Sequence, residues 1–186
     1  MDAWMWIVLA VALVALVAAI AWMASTHHRT SELRDTFGSE YDRTIEGADG
    51  RRDAEAELAE RRERREELDI RPLSAAARDR YASTWSQVQS RFVDDPAVAL
   101  KEADVLVLQV MGERGYPTDR FQDRADLVSV DHPEVVEHYR AGHRLSELSE
   151  TGRASTEDQR QALVHYRAIF DQLLEDGRGD RSASIS

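Results

Sequence analysis

Residues 81–96, YASTWSQVQSRFVDDP, contain the pattern that decides the fold. Four large apolar side chains recur there at spacings of four, three and four residues, which places them on one stripe of an α-helix: Tyr81, Trp85, Val88 and Phe92. Asp95 is a good N-cap and Pro96 a good first-turn residue, so a second helix begins where the first one ends. The stretch therefore predicts a core-facing helix that is followed at once by another.

Apolar residues at helical spacing continue toward the C-terminus. They predict a helix to about Glu113, a short helix from Phe121 to Leu127, a helix through Val136 and Tyr139, and a last helix from Thr156 that buries Tyr166 and Phe170. Thr156 and Gln159 match a capping box. Since no segment alternates like a strand, the fold class is predicted as all-α. We predict that residues 73–176 form an antiparallel helical bundle and that residues 177–186 form a disordered tail.

The tetrapeptide HYRA occurs twice, at 138–141 and 165–168, with the midpoint between Thr151 and Gly152. If the two helices form an antiparallel hairpin about that turn, Tyr139 and Tyr166 lie at nearly the same level and pair as aromatic rings. His138 and His165 then flank the pair. We interpret the tyrosines as ordinary core residues in preference to a functional polar cluster.

Residues 4–24 are apolar without interruption, and 21 residues of helix reach about 31 Å, the thickness of a bilayer's hydrocarbon core. Trp4, Trp6 and Trp22 lie where aromatic side chains prefer the headgroup level. Residues 1–25 are therefore predicted to form a transmembrane anchor that contacts the lipid bilayer through residues 4–24. A buried core helix and a signal peptide cleaved near Ala21 are the alternatives.

Residues 26–50 read as a juxtamembrane linker, because short amphipathic turns are interrupted by glycine. Residues 51–72 are rich in Ala, Glu and Arg and predict a charged stalk helix that is supported mainly by its own i,i+4 ion pairs. The arginines at 61, 62, 64 and 65 alternate with acidic residues, so a solvated helix is favoured over a nucleic-acid surface.

The basic residues nearest the apolar run, Arg29, Arg34 and Arg43, all lie on its C-terminal side. The positive-inside rule then places a single-pass protein in the cell membrane with its soluble domain in the cytoplasm; an extracellular domain is the alternative. The net charge of −11 repels phosphate, so no nucleic acid is expected as a partner, whereas another protein is.

The sequence contains no cysteine, which excludes disulfide scaffolds, thiol catalysis and cysteine-ligated metal sites. Glu134 and His138 could share a helix face, but two ligands do not make a metal site. Nucleophilic triads and phosphate-binding loops are also missing. The chain is predicted to be a non-catalytic interaction or scaffold module without a metal or cofactor. A sensor of a small ligand or of envelope stress and a secreted helical protein are the alternatives.

Four segments together resemble a family of single-span membrane or secreted proteins of high-GC actinobacteria: residues 85–96, 114–117 (RGYP), 130–133 (VDHP) and 156–174. The resemblance covers about residues 33 to 175. The family has no established function, so the resemblance implies a location and a source and carries over no catalytic or binding residue.

Overall fold

The structure is a computed structural model that describes the backbone of residues 3–175. The side chains of residues 3, 5–10, 15, 18–22 and 24–27 are outside this description, as is the predicted tail at 177–186. Across residues 3–175 the secondary structure is helical and contains no strand: α1 Ala3–Phe37, α2 Ser39–Gly47, α3 Arg51–Glu66, α4 Ala75–Asp94, α5 Pro96–Arg114, α6 Phe121–Asp131, α7 Val136–Glu150 and α8 Thr156–Glu175. The predicted all-α class is confirmed for this part of the chain.

The chain forms two compact units, which divide between Ala59 and Glu60. In the first unit, α1 continues through residue 37 and α2 follows at once, where the sequence predicted a linker over residues 26–50. The prediction overlooked that Leu33, Phe37 and Tyr41 recur at intervals of four and are all buried. Thr30 and Tyr41 donate hydrogen bonds of 2.9 and 2.8 Å to Glu55 Oε1, so α3 is tied to both preceding helices.

The prediction of a solvated stalk over residues 51–72 also requires correction. Helix α3 ends at Glu66, and the chain to Ser74 is irregular. Ala54 and Leu58 are buried in the first unit, and Arg61 is buried in the second. One face of α3 is therefore covered by protein, and the helix is not supported by its own ion pairs alone.

The core of the second unit confirms most of the stripe that the sequence predicts. Tyr81, Trp85 and Val88 are buried, whereas Phe92 is only partly buried and packs at the edge of the core. The Trp85 ring stacks on Phe170 of α8, with 4.7 Å between the ring centroids. This contact joins α4 to α8 through two of the predicted core residues.

Helix α5 packs against α4, α7 and α8 and is the centre of the second unit. Asp95 caps its N-terminus by accepting the Val98 N–H, and Gly115 ends it with a φ of +102°. A Cβ at Gly115 would lie 2.6 Å from the Asp69 carbonyl oxygen, so a side chain there would clash with the segment that precedes α4.

Helices α7 and α8 form the antiparallel hairpin that the repeated tetrapeptide predicts. His138 lies opposite His165, and Gln159 at the start of α8 donates to Ser149 at the end of α7. The cap of α8 is displaced by one residue from the prediction. Ser155 and Asp158 exchange hydrogen bonds as a capping box, in place of Thr156 and Gln159.

Replacing Trp85 by alanine tests the core. The side chain is 3% exposed and stacks on Phe170, so W85A is expected to lower the free energy of unfolding by about 3 to 5 kcal/mol. The control is V93A on the same helix, because Val93 is 82% exposed and its loss is expected to cost less than about 0.5 kcal/mol. Both values come from denaturant unfolding. Equal losses for the two variants would contradict the assignment of the core.

Candidate functional site

The predicted anchor residues lie in α1. Among the residues whose side chains are described, no helix carries an apolar stretch long enough to cross a bilayer. Trp4 is exposed, while the side chains of Trp6, Trp22 and most of residues 4–24 lie outside the described residues. The anchor therefore stays a prediction that depends on the sequence of residues 4–24.

Tyr139 and Tyr166 are both fully buried, as predicted, but their rings do not pair with each other. The Tyr139 ring packs against Phe121 at a centroid distance of 5.0 Å, and its hydroxyl accepts a hydrogen bond of 2.9 Å from Arg124 Nε. The Tyr166 hydroxyl donates to Asp104 Oδ1 of α5 at 2.7 Å. Each buried hydroxyl has its own polar partner, and each partner lies on a different helix.

The histidines beside these tyrosines meet directly across the hairpin. The Nδ1 atoms of His138 and His165 are 2.8 Å apart, and both side chains are half-buried. Gly142 of α7 lies against α8 here, and a Cβ at this position would be in van der Waals contact with the His165 Cβ, at 3.4 Å. Burial, the neighbouring His138 and Arg144 lower the pKa of His165 below its ordinary value.

A second polar cluster joins α3 to α6 and was not recognised from the sequence. Arg61 pairs with Asp126 at 3.2 Å, and both side chains are buried. Arg65 Nε donates to Asp131 Oδ2 at 2.6 Å, and the Tyr116 hydroxyl donates to the same oxygen at 2.5 Å. The spacing in the sequence could have indicated this cluster. Arg61 and Arg65 are four residues apart on one helix, so both can pair with aspartates of a neighbouring helix.

Two opposing electrostatic effects act on the buried Arg61–Asp126 pair. Burial raises the pKa of Asp126 above its ordinary value, and the opposing effect of the Arg61 charge does not cancel it. Removing two charges from water costs as much as their attraction returns. Such a pair specifies which side of α3 faces α6.

The exposed side of α5 carries a row of side chains two helical turns long. Val98 and Val105 are 42% and 43% exposed, and Lys101 lies between them on the same face. A groove of about 400 Å³ lies between α4 and α5 along this row, with Val88, Val105 and Leu106 among its lining residues. The ion pair of Arg91 and Glu102, at 3.0 Å, adds a polar edge.

These arrangements provide recognition surfaces and proton-binding groups. Two imidazoles face each other at His138 and His165, but the described residues contain no group of three or more histidines or carboxylates suited to a metal ion. Glu134 is exposed, and the carboxylate–imidazole contact in its region involves His132, at 3.9 Å.

Comparison with known proteins adds no relative: no protein-family model, curated protein or solved structure matches the chain. The resemblance to the actinobacterial family therefore stays a prediction.

Replacing Asp126 by alanine tests the α3–α6 cluster. Because D126A leaves Arg61 buried without this carboxylate, we expect a loss of about 3 kcal/mol or more in the free energy of unfolding. The control is D123A: Asp123 pairs with Arg64 at 4.0 Å, both side chains are about 40% exposed, and the loss is expected to stay below about 1 kcal/mol.

The double variant R61M/D126L separates pairing from packing. Since both charges are removed together, the double variant should lose less free energy of unfolding than D126A alone. A cost for D126A no greater than that of D123A would show that the buried pair does not hold α3.

Proposed function

We propose that the chain is a single-pass membrane protein with a non-catalytic helical domain that binds another protein. The observation that carries this proposal is the continuity of α1 from Ala3 to Phe37, because the apolar run and the polar turns after it belong to one helix. Its 35 residues extend about 52 Å, enough to cross a hydrocarbon core and still present several polar turns beyond it.

Three buried tyrosines of the second unit support a non-catalytic role, since each hydroxyl is engaged with a side chain of the same unit. The hydroxyls of Tyr116, Tyr139 and Tyr166 contact Asp131, Arg124 and Asp104 respectively. Burial raises the pKa of Tyr139 and holds the hydroxyl in its neutral form. These are structural partnerships, and they orient helices in the core.

The proposed binding surface is the exposed face of α5 with the groove beside α4. Protein-binding surfaces combine an apolar centre with a polar rim, and this face has Val98 and Val105 with Lys101 between them. The groove of about 400 Å³ beside Val105 can hold one or two side chains of a partner. With a net charge of −11, the chain favours a protein partner over a nucleic acid.

The proposed location is the cell membrane with the helical domain in the cytoplasm, which rests on the arginines that follow the apolar run. Within this proposal, membership of the actinobacterial single-span family explains the anchor and the RGYP and VDHP segments together.

A small-ligand sensor is the second candidate, favoured by one observation. Trp85 Nε1 is buried without a hydrogen-bond partner among the described residues. Trp85 also lines a groove of about 290 Å³ with Gln89, Val164 and Arg167. A ligand with a hydrogen-bond acceptor could satisfy this N–H after a small shift of the ring.

Two arginines in the apolar run test the anchor. L13R/L16R is expected to release the full-length chain from carbonate-washed membranes, because an arginine at the centre of a span costs about 2.5 to 3.5 kcal/mol. L13I/L16I keeps the run apolar and should stay in the membrane pellet. If both variants fractionate alike, or if mass spectrometry shows that residues 1–21 are absent from the mature chain, the anchor proposal is wrong.

A photo-crosslinking side chain at position 105 tests the binding face in living cells. We expect a discrete adduct with one protein from position 105 and none from position 164, since Val164 on α8 is similarly exposed, at 49%. Val105 and Val164 are the same residue type and are similarly exposed. A difference in crosslinking between the two positions therefore reflects their location on the protein. Equal labelling at both positions, or an adduct at 164 alone, would count against the α5 face.

A further inference from the structure

The His138–His165 contact has a chemistry that a pair of ordinary core residues lacks. One Nδ1 must donate and the other must accept across the 2.8 Å between them. The ring centroids are 5.1 Å apart and the ring planes are tilted by 41°, so the rings meet through their nitrogen atoms and are not stacked. The contact therefore depends on how many protons the two rings share.

Three protonation states have different consequences. With both rings neutral, one ring carries its proton on Nδ1 and the bond forms. With one ring protonated, an imidazolium donates to a neutral imidazole, and the bond gains the strength of a charge-assisted one. With both rings protonated, no acceptor remains and two positive charges face each other at 2.8 Å. Only the second protonation breaks the contact.

Charged groups lie around the pair on several elements. Arg144 acts on His165 as a further positive charge. Other charged groups on these elements make contacts of their own: Glu134 with His132, Arg140 with Glu137, Arg167 with Asp171, Asp104 with Tyr166, Arg124 with Tyr139, and Asp126 with Arg61. A doubly protonated pair would have no acceptor at the contact, and its two positive charges would repel each other across 2.8 Å.

We propose that His138 and His165 form an acid-released latch, which holds α7 to α8 at neutral pH and opens when both rings are protonated. Each half-buried histidine of the latch directly precedes a buried tyrosine in the sequence, and Gly142 of α7 lies against the His165 Cβ. Its release loosens the hairpin that covers one side of α5 and leaves the α4–α5 face intact. This inference does not depend on the proposed partner.

The sign of the pH dependence follows from the direction of the shift. The pKa of His165 is lower in the folded chain than its ordinary value of about 6.5, so the unfolded chain binds more protons. The stability that the latch contributes is fully present above about pH 6.5 and is lost as the pH falls through and below that value.

The experiment compares H138N with H143N in the full-length chain, held in detergent micelles and unfolded with urea between about pH 8 and pH 5. Asparagine places a neutral donor and acceptor near the position of Nδ1, so H138N keeps a hydrogen bond to His165 and removes one proton-binding group. His143 lies on the same helix, where it stacks on Phe121 and pairs with Glu147 instead. The two variants carry the same change in helix propensity.

Wild type and H143N are expected to lose folded protein on acidification to the same degree. H138N is expected to lose several-fold less in the ratio of folded to unfolded chain, because only one imidazole remains at the contact. An unchanged pH dependence in H138N overturns the latch.

If H138N does not fold, the proposal is tested on the wild-type chain. NMR titration of the His165 ring is expected to show protonation with a pKa below its ordinary value of about 6.5. Titration of the His165 ring at its ordinary value overturns the proposal.

Discussion

The second unit depends on the burial of α5. This helix is apolar over most of its circumference, so it must be covered on several sides, and α4, α7 and α8 supply that cover. Its ends are equally constrained. Asp95 starts it with a side-chain cap, and Gly115 stops it in a conformation and a space that only glycine fits. Once α5 is placed, α4 must run back along it, which the contact from Tyr81 to Glu113 records.

Polar groups inside the core determine how the remaining helices are oriented. Each buried tyrosine of α7 and α8 must satisfy its hydroxyl, and the available partners lie on other helices. Asp104 therefore orients α8 against α5, and Arg124 orients α6 against α7. In the same way, the Arg61–Asp126 pair orients α3 against α6. Such groups contribute less to the free energy of folding than apolar burial does, but they exclude alternative rotations of a helix about its axis.

The side chains that hold the helices together differ from those that are exposed and available for function. The face of α5 that points away from the core keeps two half-exposed valines, Val98 and Val105, along one side. The α7–α8 hairpin is joined by two half-buried imidazoles, whose hydrogen bond depends on their protonation. A binding face and a proton-sensitive contact can thus belong to one small bundle without sharing residues.

The amino-acid sequence by itself determined the helical class, the start of α5 at Asp95 and Pro96, most of the core stripe and the register of the α7–α8 hairpin. Local periodicity and capping chemistry are sufficient for these features. The tertiary structure alone decided that Tyr139 and Tyr166 take separate partners, that Phe92 lies at the edge of the core, and that Arg61 is buried. These outcomes depend on which helix faces which, and residues far apart in the chain, such as Arg61 and Asp126, meet only after the helices have packed.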